Sequence, residues 1–179
     1  MPLNIPERLE TARLVLQRLR PEDAEEIFYT YASKPEATKY VAWPTHKSLE
    51  DTRAFLSMAQ SRWHEGTEFA FSVRLQEHHR LIGGCGMVHR DGNIQLGYIL
   101  GPLHWNHGYA TELCRKLIET AQEQQGVYRI GTFVDVENTA SVRVLQKSGF
   151  VEEARLEKWF RFVNQENAAK DCILYKLPM

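Results

Sequence analysis

The most regular pattern in this chain is an apolar stripe that begins directly after a short polar loop. From Ala110 onward, apolar side chains recur every three or four residues, which places them on one face of a helix. The stripe consists of Ala110, Leu113, Cys114, Leu117, Ile118 and Ala121. The pattern predicts an amphipathic helix that extends to about Gln124, and the loop before it contains one glycine, Gly108.

Elsewhere the chain changes repeatedly between strand-like and helix-like patterns. Two-residue alternation and turn residues such as Asp91-Gly92 predict seven strands, at 13–19, 67–75, 80–89, 94–100, 127–135, 150–164 and 168–177. Helical spacing and capping residues predict four helices, which begin near Pro21, Ser48, Ala110 and Asn138. The region around Pro35 is predicted to be a loop. This order indicates one domain over residues 1–179, a mixed sheet with helices on both faces.

The loop before the long helix has the features of an anion-binding site. Backbone N–H groups at a helix N-terminus lack partners within the helix, and the helix dipole makes that end positive. Gly108 allows a ligand to approach the backbone closely. One interpretation is therefore a pyrophosphate-bearing ligand held by main-chain groups. The alternative is an ordinary junction between loop and helix that binds nothing.

Composition narrows the class of protein without identifying a substrate. Hydrophobic residues make up 43% of the 179 residues, enough for a full core, and the formal net charge is −1. This charge argues against a nucleic-acid surface, which usually needs a basic excess. No apolar run approaches a membrane span, and the N-terminus lacks the apolar stretch of a signal peptide. We therefore expect a cytoplasmic protein that contacts neither membrane nor nucleic acid.

The positions of the cysteines and histidines argue against a metal centre. The three cysteines, Cys85, Cys114 and Cys172, lie far apart, and their spacing matches no zinc motif. Such a set is typical of buried, reduced thiols in a cytosolic protein. The histidines are scattered, and His78-His79 falls in a predicted hairpin turn. We expect no metal.

Downstream of the glycine loop, the residues resemble a known family. The segment 135–150, DVENTASVRVLQKSGF, resembles a signature of the GNAT superfamily of acyl-CoA-dependent N-acetyltransferases, and more narrowly its RimJ/RimL-type branch. The glycine loop occupies the family's pyrophosphate-binding position. The segments LIGGCG at 81–86, LGYILGP at 96–102 and DCILY at 171–175 also fit the family in order. The resemblance extends from about Thr11 to Leu177.

This resemblance implies an α+β fold with a central, mostly antiparallel twisted sheet of about seven strands. The sheet is expected to splay between its fourth and fifth strands, 94–100 and 127–135, so that the pantetheine arm of acetyl-CoA inserts between them. Gly97 in the fourth strand is interpreted as a bulge or as a close approach of backbone and ligand. A backbone N–H near Tyr98 or Ile99 would then face the thioester oxygen.

The resemblance also implies the residues that bind and use acetyl-CoA. The expected contacts are Leu100, Trp105, Asn106, His107, Gly108, Tyr109, Ala110, Thr111, Asn138 and Ser141. Ser141 and Tyr98 are the expected catalytic residues, with Ser141 as hydrogen-bond donor to the leaving thiolate. Structural alternatives are a helix cap for Asn138, a surface serine for Ser141 and a core aromatic for Tyr98.

Two positions depart from the pattern of many relatives. Gln146 stands where a tyrosine acid is frequent, and Gln95 stands where a glutamate is frequent. Glutamine has no ionisable proton, so neither residue can act as an acid or a base. The identity of the general base stays open among His46, Glu68, His89 and a chain of water molecules.

The acceptor is expected to lie opposite the CoA arm, walled by the first two helices and the loop at 40–46. Candidate acceptor-binding residues are Tyr29, Tyr40, Trp43 and His46. An aromatic wall suits a peptide terminus or a ring-bearing amine. The alternative is a hydrophobic seam beneath the helices.

Together these features predict an N-acetyltransferase that moves an acetyl group from acetyl-CoA to a primary amine by direct attack in a ternary complex. A protein N-terminal α-amine, of the ribosomal-protein type, is the first expectation for the acceptor. A small-molecule amine is one alternative. The glutamines at 95 and 146 leave open a second, a catalytically inactive CoA-binding sensor. The oligomeric state, monomer or homodimer, is left open.

Overall fold

A computed structural model of the chain describes residues 2–179 and contains one sheet of eight strands. The strands are β1 (Arg8–Glu10), β2 (Leu14–Arg18), β3 (Glu68–Leu75), β4 (Leu81–Arg90), β5 (Asn93–Leu100), β6 (Arg129–Asp135), β7 (Val151–Phe162) and β8 (Ala168–Lys176). Their order across the sheet is β1-β2-β3-β4-β5-β6-β8-β7, and only the β5–β6 pair is parallel within the part described. The predicted α+β fold with a mostly antiparallel sheet is confirmed.

The helices are α1 (Ala24–Ile27), α2 (Pro35–Thr38), α3 (Leu49–Glu65), α4 (Tyr109–Gln122) and α5 (Thr139–Lys147). A 3₁₀ turn, Pro21–Asp23, precedes α1, and a π turn, Phe28–Ala32, continues it. A second 3₁₀ turn, Pro102–His104, follows β5. Ser48 caps α3 by accepting a hydrogen bond from the N–H of Asp51, and Gly66 ends it in the left-handed conformation.

Two short elements were not predicted from the sequence. Strand β1 has three residues, too few to show an alternation, and it forms because it pairs with β2 and buries Leu9. Helix α2 lies in the region predicted as a loop, where Pro35 occupies the first helical turn. The first predicted helix is also less regular than expected, because its α-helical part has only four residues.

Strands β5 and β6 diverge after three residue pairs. The pairing runs from Asn93 opposite Arg129 to Gln95 opposite Gly131, and then β6 continues beside β8 alone. At the point of divergence, the hydroxyl of Thr132 donates a 2.9 Å hydrogen bond to the carbonyl of Leu96. This fork confirms the predicted splay between the two strands.

Gly97 lies just beyond the fork, but no bulge surrounds it. The pairing of β4 with β5 is continuous, and Gly97 is opposite Gly86. The interpretation of Gly97 as a bulge was therefore wrong, and the irregularity in this part of the sheet lies at Val73 and Arg74 instead. Gly97 is exposed, and a Cβ atom there would meet nothing within 4 Å, so its surroundings leave room for a ligand.

Helices cover the sheet on both faces, as alternate residues of β5 show. Leu96, Tyr98 and Leu100 pack with the core beneath α4, whereas Ile99 packs with the core beneath α1 and α3. The first core includes the fully buried Leu113 and Leu117 of α4, which confirms the predicted apolar stripe. Successive side chains of a strand point to opposite faces, so the two cores lie on opposite sides.

The close packing of the second core depends on a glycine of β4. A Cβ atom at Gly84 would lie 2.7 Å from the phenolic oxygen of Tyr31, so a larger residue there would displace this buried ring.

All three cysteines are buried and free, as predicted. Over the described chain, helices long and apolar enough to span a bilayer are not found.

Candidate active site

The loop between β5 and α4 has a backbone shaped for anions. Gly108 is the N-cap of α4 and has a φ of 79°, and Asn106 has a φ of 63°. Among residues 2–179, no protein group accepts a hydrogen bond from the backbone N–H groups of 106–111. Six free N–H groups at a helix N-terminus, with left-handed residues between them, can form a concave surface suited to phosphate oxygens. We call this surface, residues 106–111, the anion loop.

Side chains in and beside the anion loop bind the backbone just before it. The indole nitrogen of Trp105 donates to the carbonyl of Leu100 at 3.0 Å, and Nδ1 of His107 donates to the carbonyl of Trp105 at 2.7 Å. The imidazole of His107 stacks on the ring of Tyr109, with centroids 5.5 Å apart and planes 8° apart. The loop is therefore shaped by its side chains, and its N–H groups are left for a ligand.

The structure brings these predicted residues together. The anion loop joins the end of β5 to the first turn of α4, which contains Ala110 and Thr111, both half-buried. Leu100 is buried at the end of β5. All eight residues predicted to bind CoA between 100 and 111 thus lie in the segment that joins β5 to α4.

Helix α5 provides the second part of the site. Asn138 caps this helix, because its Oδ1 accepts a hydrogen bond from the N–H of Ser141 at 3.3 Å. The hydroxyl of Ser141 lies 2.9 Å from the phenolic oxygen of Tyr98 on β5. Both predicted catalytic residues therefore meet beside the fork, although 43 residues separate them. Gln146, on the same helix, is exposed.

Tyr98 holds its proton firmly in this position. Burial raises the pKa of Tyr98, and nearby Cys114 raises it further, whereas the hydrogen bond with Ser141 acts in the opposite direction. The phenol is therefore neutral near pH 7 and can donate a hydrogen bond to Ser141. That bond leaves the proton of Ser141 free to point at another acceptor.

The backbone of Tyr98 also faces the fork. The carbonyls of Leu96 and Leu100 point away from β4, because they accept from Thr132 and Trp105. Alternate residues of a strand direct their backbone groups to the same side, so the N–H and carbonyl of Tyr98 also point away from β4. Strand β6 has already diverged at this level. Of the two predicted N–H groups, that of Tyr98 is thus the one available, whereas Ile99 is directed at β4.

The predicted acceptor residues are only partly assembled. The rings of Trp43 and His46 are 5.0 Å apart, and both contact Phe55 of α3. Tyr40 lies apart from them and donates a 3.4 Å hydrogen bond to the carbonyl of Glu137, directly before α5. Tyr29 is 63% exposed and packs edge-on against Phe28. In the described residues its ring contacts none of the other three.

Two residues that shape this acceptor region were not recognised in the sequence. Asn164, in the turn between β7 and β8, accepts from the N–H of Thr45 at 3.0 Å. Its amide donates to the carbonyls of Thr38 and Trp43 at 2.8 and 2.9 Å. Gln165 beside it donates to the carbonyl of Lys39 and to the carboxylate of Asp135. The only sequence signal was a polar turn, which does not indicate what it contacts.

The three proposed bases lie in different environments. His89 uses both ring nitrogens, with Gly66 and with Gly92, and Glu68 is paired with Arg62 at 2.7 Å. His46 is bound through Nδ1 to the hydroxyl of Thr52 at 2.7 Å. Burial lowers the pKa of His46, and the charge of Asp51 opposes this shift. His46 is therefore neutral near pH 7, and its Nε2 remains able to accept a proton.

Comparison with known proteins identifies the family. Residues 13–151 match the family model described as an acetyltransferase (GNAT) domain. The chain is 33% identical over 156 residues to the uncharacterized N-acetyltransferase p20 of Bacillus licheniformis, covering 86% of this chain and 87% of that protein. It is 30% identical to the uncharacterized N-acetyltransferase YoaA of Bacillus subtilis strain 168, covering 94% and 95%. The chain belongs to the GNAT family and is an acetyl-CoA-dependent N-acetyltransferase.

Solved structures share the whole fold. RimL, a ribosomal L7/L12 alpha-N-protein acetyltransferase in complex with coenzyme A, matches with a TM-score of 0.83 at 16% identity, over 96% of both chains. RimJ of Mycobacterium smegmatis, in complex with CoA-disulfide, has a TM-score of 0.81 at 19% identity, over 99% of this chain and 85% of the RimJ chain. The microcin C7 self-immunity acetyltransferase MccE, in complex with acetyl-CoA and AMP, has a TM-score of 0.84 at 18% identity, over 94% of both chains. The predicted RimJ/RimL-type fold is therefore confirmed.

Proposed function

We propose that acetyl-CoA binds with its pyrophosphate on the anion loop and its thioester in the fork between β5 and β6. The observation that carries this proposal is the 2.9 Å contact between Tyr98 and Ser141, which lies beside the fork. The free N–H of Tyr98 would donate to the thioester oxygen, whose negative charge grows during attack. Asn138, which caps α5 next to Ser141, completes the CoA side.

The transfer proceeds by direct attack of a neutral amine on the thioester carbonyl in a ternary complex. The C–N bond forms, the C–S bond breaks, and the amine loses a proton to solvent or to a base such as His46. The leaving thiolate accepts a hydrogen bond from Ser141, whose oxygen accepts one from Tyr98. Binding both substrates in one orientation can itself supply several kcal/mol of the barrier reduction. This arrangement needs neither a tyrosine at 146 nor a glutamate at 95.

We propose a protein N-terminal α-amine as the acceptor. Gly97 leaves open space on the face of β5 opposite Tyr98, and the exposed Tyr29 and half-buried Tyr40 and Trp43 offer apolar surface to a peptide. RimL, which has the same fold, is a ribosomal L7/L12 alpha-N-protein acetyltransferase. A small-molecule amine is the second candidate, since MccE, in complex with AMP, has the same fold with a TM-score of 0.84.

A competition between acceptors tests this assignment. The enzyme is incubated with isotopically labelled acetyl-CoA, a library of peptides with free N-termini, and a panel of small amines. Mass spectrometry then locates the label. We expect transfer to peptide α-amines and not to lysine side chains. Exclusive labelling of the small amines would contradict a protein acceptor, and no labelling of any amine would contradict both candidates.

A further inference from the structure

The side chain of Arg13, between β1 and β2, contacts both the anion loop and the first turn of α4. Its Nη1 donates to the carbonyl of His107 at 2.9 Å, and its Nε donates to the carboxylate of Glu112 at 2.7 Å. Its guanidinium also lies over the ring of Tyr109, 4.5 Å from the centroid. Arginine can make these contacts together because its planar head presents five N–H groups in a fixed fork.

The contact with His107 determines which way one peptide group of the loop points. A peptide unit is planar, and its carbonyl and following N–H point in opposite directions. With the carbonyl of His107 held by Arg13, the N–H of Gly108 points to the other side of the loop. A rotation of this peptide would exchange the directions of the His107 carbonyl and the Gly108 N–H, and would present an oxygen atom to an incoming phosphate.

The contact with Glu112 balances a negative charge in the first turn of α4. Its carboxylate accepts from the hydroxyl of Thr11, and from both the backbone N–H and the Nε of Arg13. Burial raises the pKa of Glu112, but these hydrogen bonds outweigh burial, and the carboxylate stays ionised. Its negative charge is therefore balanced by Arg13 and does not oppose an anion.

Arg13 also retains an unused donor beside the loop. Its Nη2 would be 3.4 Å from a Cβ atom at Gly108, and it makes no hydrogen bond within residues 2–179. Arg13 and Gly108 line the same surface pocket of about 370 Å³. Arg13 therefore borders open space beside the loop.

We propose that Arg13 is a positioning residue for acetyl-CoA, which sets the orientation of the His107–Gly108 peptide and neutralises Glu112. This inference rests on the proposed function, because it requires the pyrophosphate to bind the anion loop. It extends the donor site to the β1–β2 region, where Thr11 and Arg13 lie beside β2.

The test compares two acetyl donors in the same variant. Acetyl-CoA contains the pyrophosphate, and S-acetylpantetheine lacks it. For Arg13→Ala we expect KM for acetyl-CoA to rise at least tenfold with kcat little changed, in line with the loss of charge-assisted hydrogen bonds. With S-acetylpantetheine, kcat/KM should be unchanged, a result that general damage to the fold would not produce. Equal losses with both donors would overturn the proposal.

Further variants separate positioning from charge. Arg13→Lys keeps the positive charge but loses the planar guanidinium with its five N–H groups, so it should recover only part of the affinity for acetyl-CoA. Full recovery would show that charge alone suffices and would overturn the positioning role. Arg53→Ala is the matched control, because Arg53 forms an exposed pair with Glu50 on α3 and neither residue lines this pocket. If Gly108→Val weakens CoA binding and Arg13→Ala does not, the anion loop stands and this inference fails. If neither variant weakens CoA binding, both the proposed anion-loop site and the inference about Arg13 fail.

Discussion

The proposed donor side and the proposed acceptor side of the site are built in different ways. The donor side uses backbone groups of one continuous segment, 106–111, together with the backbone of β5. The acceptor side uses side chains from a loop, from α3 and from the β7–β8 turn. Contacts within it connect residues that are 119 and 126 positions apart, such as Thr45 and Thr38 with Asn164.

This difference has a consequence for recognition. Backbone N–H groups are present whatever the side chain, so the donor side tolerates changes of side chain in the anion loop. Side chains that meet from distant segments can be exchanged one by one. Acceptor preference can therefore diverge among relatives that keep the same way of binding CoA. Substitutions on the two sides should affect different kinetic constants.

The largest effect is expected at the point where the two sides meet. Ser141→Ala should lower kcat by about ten- to a hundredfold, because a hydrogen bond to a charged group contributes about 1.5–3 kcal/mol. CoA affinity should change little. Steady-state kinetics and calorimetric titration with CoA measure these two quantities. Ser148→Ala, at the C-cap of the same helix, is the matched control, because its hydroxyl donates to the carbonyl of Val144 and not to Tyr98.

A double variant tests whether Tyr98 and Ser141 act together. Tyr98→Phe keeps the ring and removes the hydroxyl that lies 2.9 Å from Ser141. Residues that act through one hydrogen-bonded chain are not additive, so the double variant should be little slower than Ser141→Ala. A kcat for Ser141→Ala within twofold of the native enzyme would mean that water protonates the thiolate.

Donor-side binding should depend more on backbone than on side chain. Gly108 has a φ of 79°, which a β-branched residue adopts only with strain. Gly108→Val should weaken CoA binding at least tenfold, about 1.4 kcal/mol or more. His107→Ala should lose less, because its imidazole serves mainly to shape the loop. Isothermal titration of both variants with CoA measures this order, and the reverse order would contradict a backbone-dominated site.

On the acceptor side, Asn164 should control affinity for the amine without affecting the donor. Asn164→Ala removes three hydrogen bonds that hold the loop at 38–45. We expect KM for the acceptor to rise several-fold and the free energy of unfolding to fall by about 1–3 kcal/mol. KM for acetyl-CoA should not change. Val163→Ala, an exposed neighbour, is the control, and an equal rise in both KM values would contradict separate sides.

The smallest expected effect is a pH dependence of stability from His46. Burial lowers its pKa in the folded protein, so below about pH 6.5 the unfolded chain binds more protons at this residue. Stability from His46 is therefore present above that pH and is lost as the pH falls. Urea unfolding at pH 7.5 and pH 5.5 should show a smaller difference in His46→Gln than in the native protein. His78→Gln, at an exposed histidine, is the control. If His46→Gln showed the same difference in unfolding free energy between the two pH values as the native protein, His46 would contribute no such dependence.

Local patterns made helix α4 and the loop before it predictable. The apolar stripe from Ala110 to Ala121 and the glycine before it express the period of a helix and the conformational freedom of one residue. Neither property depends on distant parts of the chain. Predictions failed where elements are too short to show a period, as in β1 and α2. The interpretation of Gly97 as a bulge failed because a glycine in a strand has several uses, and its neighbours decide among them.

By itself, the sequence determined the family, the order of most strands and helices, and the segment that forms the anion loop, because short-range periodicity and motif residues specify them. Tertiary structure alone decided that Tyr98 meets Ser141, that Asn164 holds the loop at 38–45, and that Arg13 holds the carbonyl of His107. The physical reason is that a hydrogen bond acts over about 3 Å in space whatever the separation along the chain. A helix period is visible within a few residues, whereas these contacts exist only after the sheet has brought its strands together.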